Sequence, residues 1–190
     1  MINKEYFKKL KKNVEDFDDK REDLITLTRK IVRLSKEIIY LVHRKDFSNA
    51  EKKAHEIESL MKAAKKEVGK NPQLDIGAYK VAVQEYVEAI SYLKVMQGED
   101  LPSHESLGVD IEYYLLGICD LIGEMSRAAM SSAIKEDSEA VERIRNFVYE
   151  IFEEMMQIDF RNGELRKKVD GMRYEMQKLD NLAFQLKMKK

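Results

Sequence analysis

The sequence predicts an all-α protein, a helical bundle of about six helices with a long N-terminal helix. Only eight glycines and two prolines occur in 190 residues, so residues that end helices are scarce. Apolar side chains recur at the spacing of one helix face along most of the chain, and no segment alternates as a β-strand does. The length is sufficient for one sizeable core, and we expect residues 1–190 to form a single domain.

The first helix is predicted over about residues 3–45, where apolar residues keep a heptad-like spacing. A helix of this length spans about 65 Å at 1.5 Å per residue, against roughly 30 Å for an ordinary small domain. We therefore expect its outer end to meet another subunit. The apolar stripe widens from Leu24 onward, which predicts that the second half is buried on more sides than the first.

Turn-forming residues separate the remaining helices. In the first turn, Ser48 or Asn49 is the predicted N-cap of the second helix, and Gly69 to Pro72 is predicted to end that helix. The segment 98–108 is the longest irregular piece, and 159–163 is a further turn. The five later helices are therefore predicted at about 50–68, 74–97, 109–134, 138–157 and 164–187.

Composition excludes several classes of protein. No run of about 18 uncharged apolar residues occurs, so no membrane span is expected, and the charged N-terminus does not resemble a signal peptide. A single cysteine, Cys119, excludes an internal disulfide framework and a cysteine zinc cluster. A cytoplasmic location is the default expectation. Residues 99–163 carry 5 basic and 15 acidic side chains, so the bulk charge does not favour a polyanion, which would need a local basic surface.

Two apolar stretches carry acids that have no nearby cation. The acids are Glu85 and Glu88 in the stretch 81–93, and Asp120 and Glu124 in the stretch 113–126. Neither stretch contains Lys, Arg or His, although acids are rarely buried unless they are paired or bound to a cation. The spacings i, i+3 and i, i+4 place each pair on one helix face. The two faces therefore become candidates for one shared site.

If the two helices face each other, four carboxylates converge in a largely apolar wall, and a divalent cation relieves their repulsion. Ligation by oxygen alone favours Mg²⁺ or Mn²⁺ over zinc. A ferritin-like di-iron site is disfavoured because its Glu-x-x-His ligands are missing. Hydrolysis of a phosphodiester or a pyrophosphate is the chemistry that such a metal supports. The alternative is that the acids simply face solvent or an arginine of another subunit.

Other candidate residues are fewer. The basic side chains Arg29, Arg33 and Lys36 share one face of the first helix, either as phosphate contacts or as a solvated face. The following residues are expected to be structural or without a role in catalysis: His43, His55, His104, Tyr86, Tyr92 and Cys119. For the two tyrosines, stacking on bases is the alternative to a place in the core.

The chain resembles the translin family, and more closely its branch of translin-associated factor X. The resemblance rests on Gln84-Glu85-Tyr86-Val87-Glu88-Ala89, on Tyr114-Leu115-Leu116-Gly117 with Asp120-Leu121 and Gly123-Glu124, and on two flanking stretches, Leu27 to Arg44 and Leu179 to Lys187. It covers nearly the whole chain in order. The acid-bearing motifs are its most specific part, because they separate the catalytic branch from translin itself.

The resemblance implies an all-α subunit of a hollow octameric barrel that encloses nucleic acid. It implies a Mg²⁺-dependent endoribonuclease acting on single-stranded RNA, with single-stranded DNA as a further substrate of related assemblies. The residues that match the catalytic acids are Glu85, Glu88 and Asp120, with Glu124 as a further metal ligand, and Arg29 matches a phosphate-facing arginine. The chain lacks the long insertion of animal relatives, so a homo-oligomer and a hetero-oligomer with a translin-like subunit both stay open.

Three rival functions are consistent with parts of the sequence. An all-α nucleoside-triphosphate pyrophosphohydrolase also pairs acidic motifs on two helices, but its second motif is usually Glu-x-x-Asp, whereas this chain has Asp-x-x-x-Glu. A non-catalytic scaffold that binds single-stranded nucleic acid would make the acids structural. A coiled-coil interaction protein is supported only by the heptads of the first and last helices.

Overall fold

The computed structural model describes residues 2–188, which form seven α-helices and one short 3₁₀ helix, without a strand in that part of the chain. The α-helices are α1 (Lys4–His43), α2 (Phe47–Lys70), α3 (Gly77–Met96), α4 (His104–Leu107), α5 (Ile111–Ile134), α6 (Ser138–Met156) and α7 (Glu164–Met188), and the 3₁₀ helix is Pro72–Leu74. The prediction of an all-α fold is confirmed. The six predicted helices are present, and α4 is one additional turn inside the predicted loop.

The long helix α1 has two different halves. Residues 4–23 are exposed except for Phe17, which is half-buried. Burial begins at Leu24, and from there the apolar positions turn toward the bundle, as the widening stripe predicts. Buried residues of α1 are Leu24, Thr28, Ile31, Leu34, Ser35, Ile38, Ile39 and Val42. Half of the helix therefore belongs to the core, and half extends beyond it.

Helix boundaries differ from the prediction at α2. Its N-cap is Asp46, whose carboxylate accepts the backbone N–H of Asn49, so the prediction of Ser48 or Asn49 as the cap is wrong. The reason is that Lys45 takes a left-handed φ of 61°, which reverses the chain immediately after α1 and lets α2 begin at Phe47.

The start of α3 also lies later than predicted. Pro72–Leu74 forms a 3₁₀ turn instead of the first turn of α3, and it buries the Leu74 side chain completely. Helix α3 then begins at Gly77, whereas the sequence pattern predicts a start near 74. A single buried leucine in a tight turn is difficult to distinguish from the first apolar position of a helix.

Helices α3 and α5 lie at the centre of the bundle. Helix α1 packs on α3, α3 packs on α5, and α6 and α7 pack on α5. Helices α3 and α5 approach each other closely at Gly117, where an added Cβ would lie 2.7 Å from Cβ of Val87. Glu88 directly follows Val87, and Asp120 lies one helical turn after Gly117, so both acids lie next to this contact. Although both central helices are apolar, no helix among residues 2–188 is long and apolar enough to cross a membrane.

Candidate active site

The four predicted acids lie in one region between α3 and α5. Each of their side chains is half-buried. Burial is the main cause that raises the pKa of Glu88 to about 8, and the negative charges of Asp120, Glu85 and Glu124 raise it further. Helices α3 and α5 pack against each other, so the condition on which the convergence of the four carboxylates depends is met.

Glu88 is the most unusual of the four acids. No described side chain hydrogen-bonds or ion-pairs with its carboxyl group within residues 2–188. With a pKa of about 8, this carboxyl group holds its proton at neutral pH in the protein alone. Burial likewise raises the pKa of Glu85, although the ammonium of Lys36 on α1 opposes that shift. A buried acid without a counter-charge is a candidate ligand for a cation.

Asp120 has a partner that the sequence did not reveal. The ammonium Nζ of Lys168, on α7, donates to Oδ1 of Asp120 at 2.7 Å and to Oδ2 at 2.5 Å. Nζ also lies 3.5 Å from Oε1 of Gln84 on α3. The expectation that the acids lack cationic partners is therefore wrong for Asp120. Because Lys168 lies 48 positions further along the chain, local sequence context does not show it.

Glu124 is also paired, by two basic side chains. Nε2 of His43, the last residue of α1, lies 2.7 Å from Oε2, and Nη1 of Arg127 lies 3.1 Å from Oε1. The hydroxyl of Tyr92 lies 3.0 Å from Nδ1 of the same imidazole. His43, which the sequence analysis expects to have no catalytic role, therefore lies in direct contact with one of the four acids. Arg127 follows the second acid-bearing stretch directly, so its i, i+3 spacing to Glu124 was visible in the sequence.

The donor chemistry of this region fits a hard divalent cation, although the side chains are not arranged around one point. No group of three or more His, Cys, Asp or Glu side chains within residues 2–188 is close enough together to hold a metal ion. Two of the four acids are instead turned to side chains of this chain, Asp120 to Lys168 and Glu124 to His43 and Arg127. The observation in favour of a metal is Glu88, which is half-buried and has no ion-pair partner among residues 2–188, in a cluster of four carboxylates.

The basic strip on α1 approaches the acids at one end. Arg29, Arg33 and Lys36 are all exposed on α1, and Arg33 makes a loose ion pair with Glu37 at 3.7 Å. Lys36 is the end of the strip nearest to the acids, since its charge acts on the carboxylate of Glu85. Lys36 therefore joins the strip to the acid cluster, whereas the ion-pair partner of Arg33 is Glu37, which also contacts Lys53 of α2.

The remaining candidates lie away from the four carboxyl groups or inside the core. Tyr86 and Tyr92 are buried, so neither ring is available to stack on a base in this subunit. Cys119 is buried, with Sγ 4.0 Å from Sδ of Met172, which agrees with a packing role. His55 is exposed on α2, and His104 lies beside Glu105.

The helical order and the acid-bearing central pair define an all-α protein with the architecture of C3PO. The solved structure of apo-NeC3PO superimposes with a TM-score of 0.90 at 28% identity, covering 95% of this chain and 96% of that chain. AfC3PO, which has been solved alone and in complex with duplex RNA, has the same fold, with a TM-score of 0.87 at 24% identity over 97% of this chain and 98% of that one.

The chain belongs to the Translin family, whose model matches residues 19–190. The translin-associated protein X homolog of Schizosaccharomyces pombe is 29% identical over 95% of this chain and 86% of its own length. An uncharacterized protein of Methanocaldococcus jannaschii is also 29% identical, over 85% of this chain and 73% of its own. Rat translin-associated protein X is 22% identical over 96% of this chain and 78% of its own. The family that the sequence motifs indicated is confirmed.

Proposed function

We propose that this chain is the catalytic subunit of a Mg²⁺- or Mn²⁺-dependent endoribonuclease that cleaves single-stranded RNA. The observation that carries the proposal is Glu88, a half-buried acid with a raised pKa, without a hydrogen-bond or ion-pair partner among residues 2–188 and next to three further carboxylates. Such a group does not stabilise the folded protein, because burying its ionised form raises the free energy of the folded state. Membership of the Translin family supports a role for the cluster in nucleic-acid chemistry.

The residues that would hold the cation are Glu85, Glu88, Asp120 and Glu124. When bound, Mg²⁺ or Mn²⁺ supplies electrophilic activation of a phosphodiester and a water of lowered pKa. The protein's own contribution is to concentrate four acids where repulsion between them is relieved by a divalent charge. His43 and Arg127 orient Glu124, and the apolar surroundings from α3 and α5 limit competing water around Glu88.

The basic strip supplies the contacts to the substrate backbone in this proposal. Arg29 and Arg33 are exposed and stand along α1, so they are available to phosphates approaching the acid cluster. Lys36 lies closest to the acids, and its positive charge reduces the repulsion between the acids and an anionic substrate. A negative cluster alone would repel RNA, and the neighbouring cations remove that difficulty.

The experiment is cleavage of a fluorescently labelled single-stranded RNA oligonucleotide by the full chain, with Mg²⁺, with Mn²⁺ and with EDTA. We expect Glu88→Gln to abolish cleavage while RNA binding, measured by fluorescence anisotropy, stays within twofold of the original protein. Glu153→Gln, at an exposed glutamate of α6, is the matched control and should cleave normally. Equal cleavage by the Glu88 and Glu153 variants would contradict the site. A single-stranded DNA oligonucleotide in parallel reports the second substrate class.

Two rival functions give different results in the same assay. A non-catalytic scaffold binds the oligonucleotide but cleaves it under none of the metal conditions. A nucleoside-triphosphate pyrophosphohydrolase releases pyrophosphate from a free nucleotide and leaves the oligonucleotide intact. Cleavage of the oligonucleotide that depends on Glu88 supports the endoribonuclease and excludes both rivals as the main activity.

The proposal includes assembly into a barrel-shaped oligomer, an octamer of this chain or a mixed assembly with a translin-like subunit. The supporting feature is the outer half of α1, which presents exposed Tyr6, Phe7, Leu10 and Val14. Apolar side chains in a row on an exposed helix are a typical docking surface for another helix. An enclosed space would restrict the enzyme to flexible single strands that can enter it.

A further inference from the structure

Lys168 holds an unusual position for a lysine of an outer helix. Its ammonium contacts both oxygens of Asp120, at 2.7 and 2.5 Å, and its side chain is only 27% exposed. An ammonium has three N–H donors, and the remaining direction leads to Oε1 of Gln84 at 3.5 Å. The carboxylate of Asp120 is thereby directed at an organic cation of the same chain.

The charge of Lys168 also acts on the rest of the cluster. It stabilises the ionised forms of Glu85 and Glu88, and so opposes the effect that burial has on both. Glu164 lies one turn earlier on α7. Its direct partner is Lys80 at 2.7 Å, which lowers the pKa of Glu164, and the ammonium of Lys168 lowers it further. Lys168 is therefore the cation that α7 contributes to the acid cluster as a whole, beyond its contact with Asp120.

We propose that Lys168 competes with the divalent cation for Asp120 and is displaced from that carboxylate when the cation binds, an inference that rests on the metal-dependent function proposed above. The oxygens that would ligate the cation are the ones that accept hydrogen bonds from Nζ. Two positive centres on one carboxylate repel each other strongly at the short distances involved. The long, flexible stem of a lysine permits the ammonium to move without a shift of α7.

The arrangement of the acids agrees with this competition. The carboxylates lie close enough to influence one another, yet within residues 2–188 they are not gathered as a metal-binding group. The contact with Lys168 is one reason why the acids are not gathered, because both oxygens of Asp120 accept hydrogen bonds from Nζ of Lys168. Release of Lys168 frees Asp120 to turn toward Glu88.

The first test is Mn²⁺ binding by the full chain, measured by electron paramagnetic resonance and isothermal titration calorimetry. Since Lys168→Met removes the competing charge, we expect it to bind Mn²⁺ at least about tenfold more tightly than the original protein. Lys168→Arg keeps a cation and should not show the gain. The matched control is Lys178→Met, which removes a lysine of α7 that pairs with Glu175, and it should leave the affinity unchanged.

The second test uses the unaltered chain and so does not depend on the folding of a variant. Acylation of lysines by an amine-reactive reagent, followed by mass spectrometry, should become several-fold faster at Lys168 when Mn²⁺ is added. The rate at Lys178 should stay constant.

The outcomes separate this inference from the proposed function. If the original protein binds Mn²⁺ through Glu88, but Lys168→Met shows equal or weaker affinity and acylation is unchanged, then Lys168 does not compete and only this inference falls. If neither the original protein nor any variant binds Mn²⁺, or if Glu88→Gln binds Mn²⁺ as tightly as the original protein, then the proposed metal-dependent function fails. The competition fails with it. Tighter binding with faster acylation supports both.

Discussion

Nε2 of His43 lies 2.7 Å from Oε2 of Glu124, which joins the last residue of α1 to the middle of α5. The other ring nitrogen lies 3.0 Å from the hydroxyl of Tyr92, a fully buried residue of α3. An Nε2–H that donates to Glu124 leaves Nδ1 as the acceptor for the tyrosine hydroxyl, so one tautomer satisfies both contacts. Three helices thus fix the orientation of one acid of the site.

We expect His43→Ala to weaken Mn²⁺ binding by about 10- to 100-fold, the usual effect of removing a group that orients a metal ligand. RNA cleavage at limiting Mg²⁺ should fall with it and recover in part at high Mg²⁺. Isothermal titration calorimetry measures the first effect and a Mg²⁺ titration of the cleavage rate measures the second. His55→Ala, at an exposed histidine of α2, is the control and should behave as the original protein. Unchanged affinity in His43→Ala would show that Glu124 needs no support from α1.

The sequence alone was sufficient for the helices and for the helix faces that the acids share, because both depend on local spacing. Periodicity defines each helix over many residues, and the i, i+3 and i, i+4 spacings show which acids share a face without any knowledge of the tertiary fold. The partners of the acids are a different matter. His43 and Lys168 reach Glu124 and Asp120 across 81 and 48 residues, and no local pattern distinguishes them from ordinary residues on a helix surface.

The same contrast explains the errors at the helix ends. The cap at Asp46 depends on a left-handed residue at Lys45, an uncommon conformation for a lysine, which the sequence does not indicate. The buried Leu74 belongs to a 3₁₀ turn because the fold has a pocket for it, and periodicity assigns it to the next helix. Local chemistry gives the type of each element, and tertiary packing gives its final residues.

Because the pKa of Glu88 is raised, the free energy of unfolding should decrease as pH increases when no divalent cation is added. The folded protein holds this proton up to a pKa of about 8, whereas the unfolded chain releases it near 4.5, so the folded state binds more protons between these values. The free energy of unfolding therefore decreases as pH rises from about 4.5 to about 8. The groups that surround this carboxyl are Glu85, Asp120, Glu124 and Lys168.

Glu88→Gln removes the ionisable group, so we expect it to be more stable than the original protein at pH 8 by up to about 4 kcal/mol, and nearly equal at pH 4.5. Urea unfolding monitored by circular dichroism in EDTA, at a series of pH values, measures the difference. In the same series Glu153→Gln should follow the original protein. A constant difference across the pH range would mean that the carboxyl of Glu88 does not titrate as described.

Gly117 and Gly123 provide a matched pair on α5. A Cβ at Gly117 would lie 2.7 Å from Cβ of Val87 and 2.8 Å from the backbone oxygen of Gln84, whereas nothing lies within 4 Å of a Cβ at Gly123. We expect Gly117→Ala to destabilise the protein by about 1–3 kcal/mol because α3 and α5 must separate. Gly123→Ala should stabilise it by about 0.5–1 kcal/mol, since alanine is the better helix former. Denaturant unfolding compares the two, and equal effects would contradict the close approach of the helices.

Arg29 and Arg33 should contribute to RNA binding through phosphates. We expect the double variant Arg29→Ala, Arg33→Ala to weaken binding of single-stranded RNA for all sequences alike and to lower the slope of log K against log salt by about 1–2. Fluorescence anisotropy over a range of salt concentrations measures both. Lys30→Ala removes one charge from the same helix, about 100° from Arg29 and about 60° from Arg33 around the helix axis, so it should lose less than half as much binding free energy as the double variant. A loss of half or more in Lys30→Ala would assign the binding to net charge.

The outer half of α1 should be required for assembly but not for the fold. Val14 is 58% exposed and belongs to the apolar row with Phe7 and Leu10, which no other helix of the described chain covers. Because Val14→Asp places a charge in the middle of that row without touching the core, we expect a smaller particle in size-exclusion chromatography with light scattering and an unchanged circular dichroism spectrum. Ile158→Asp alters another exposed apolar residue, 45% exposed and between α6 and α7, and it should keep the original mass. If Val14→Asp keeps that mass as well, the oligomer proposed for this protein must form through another surface.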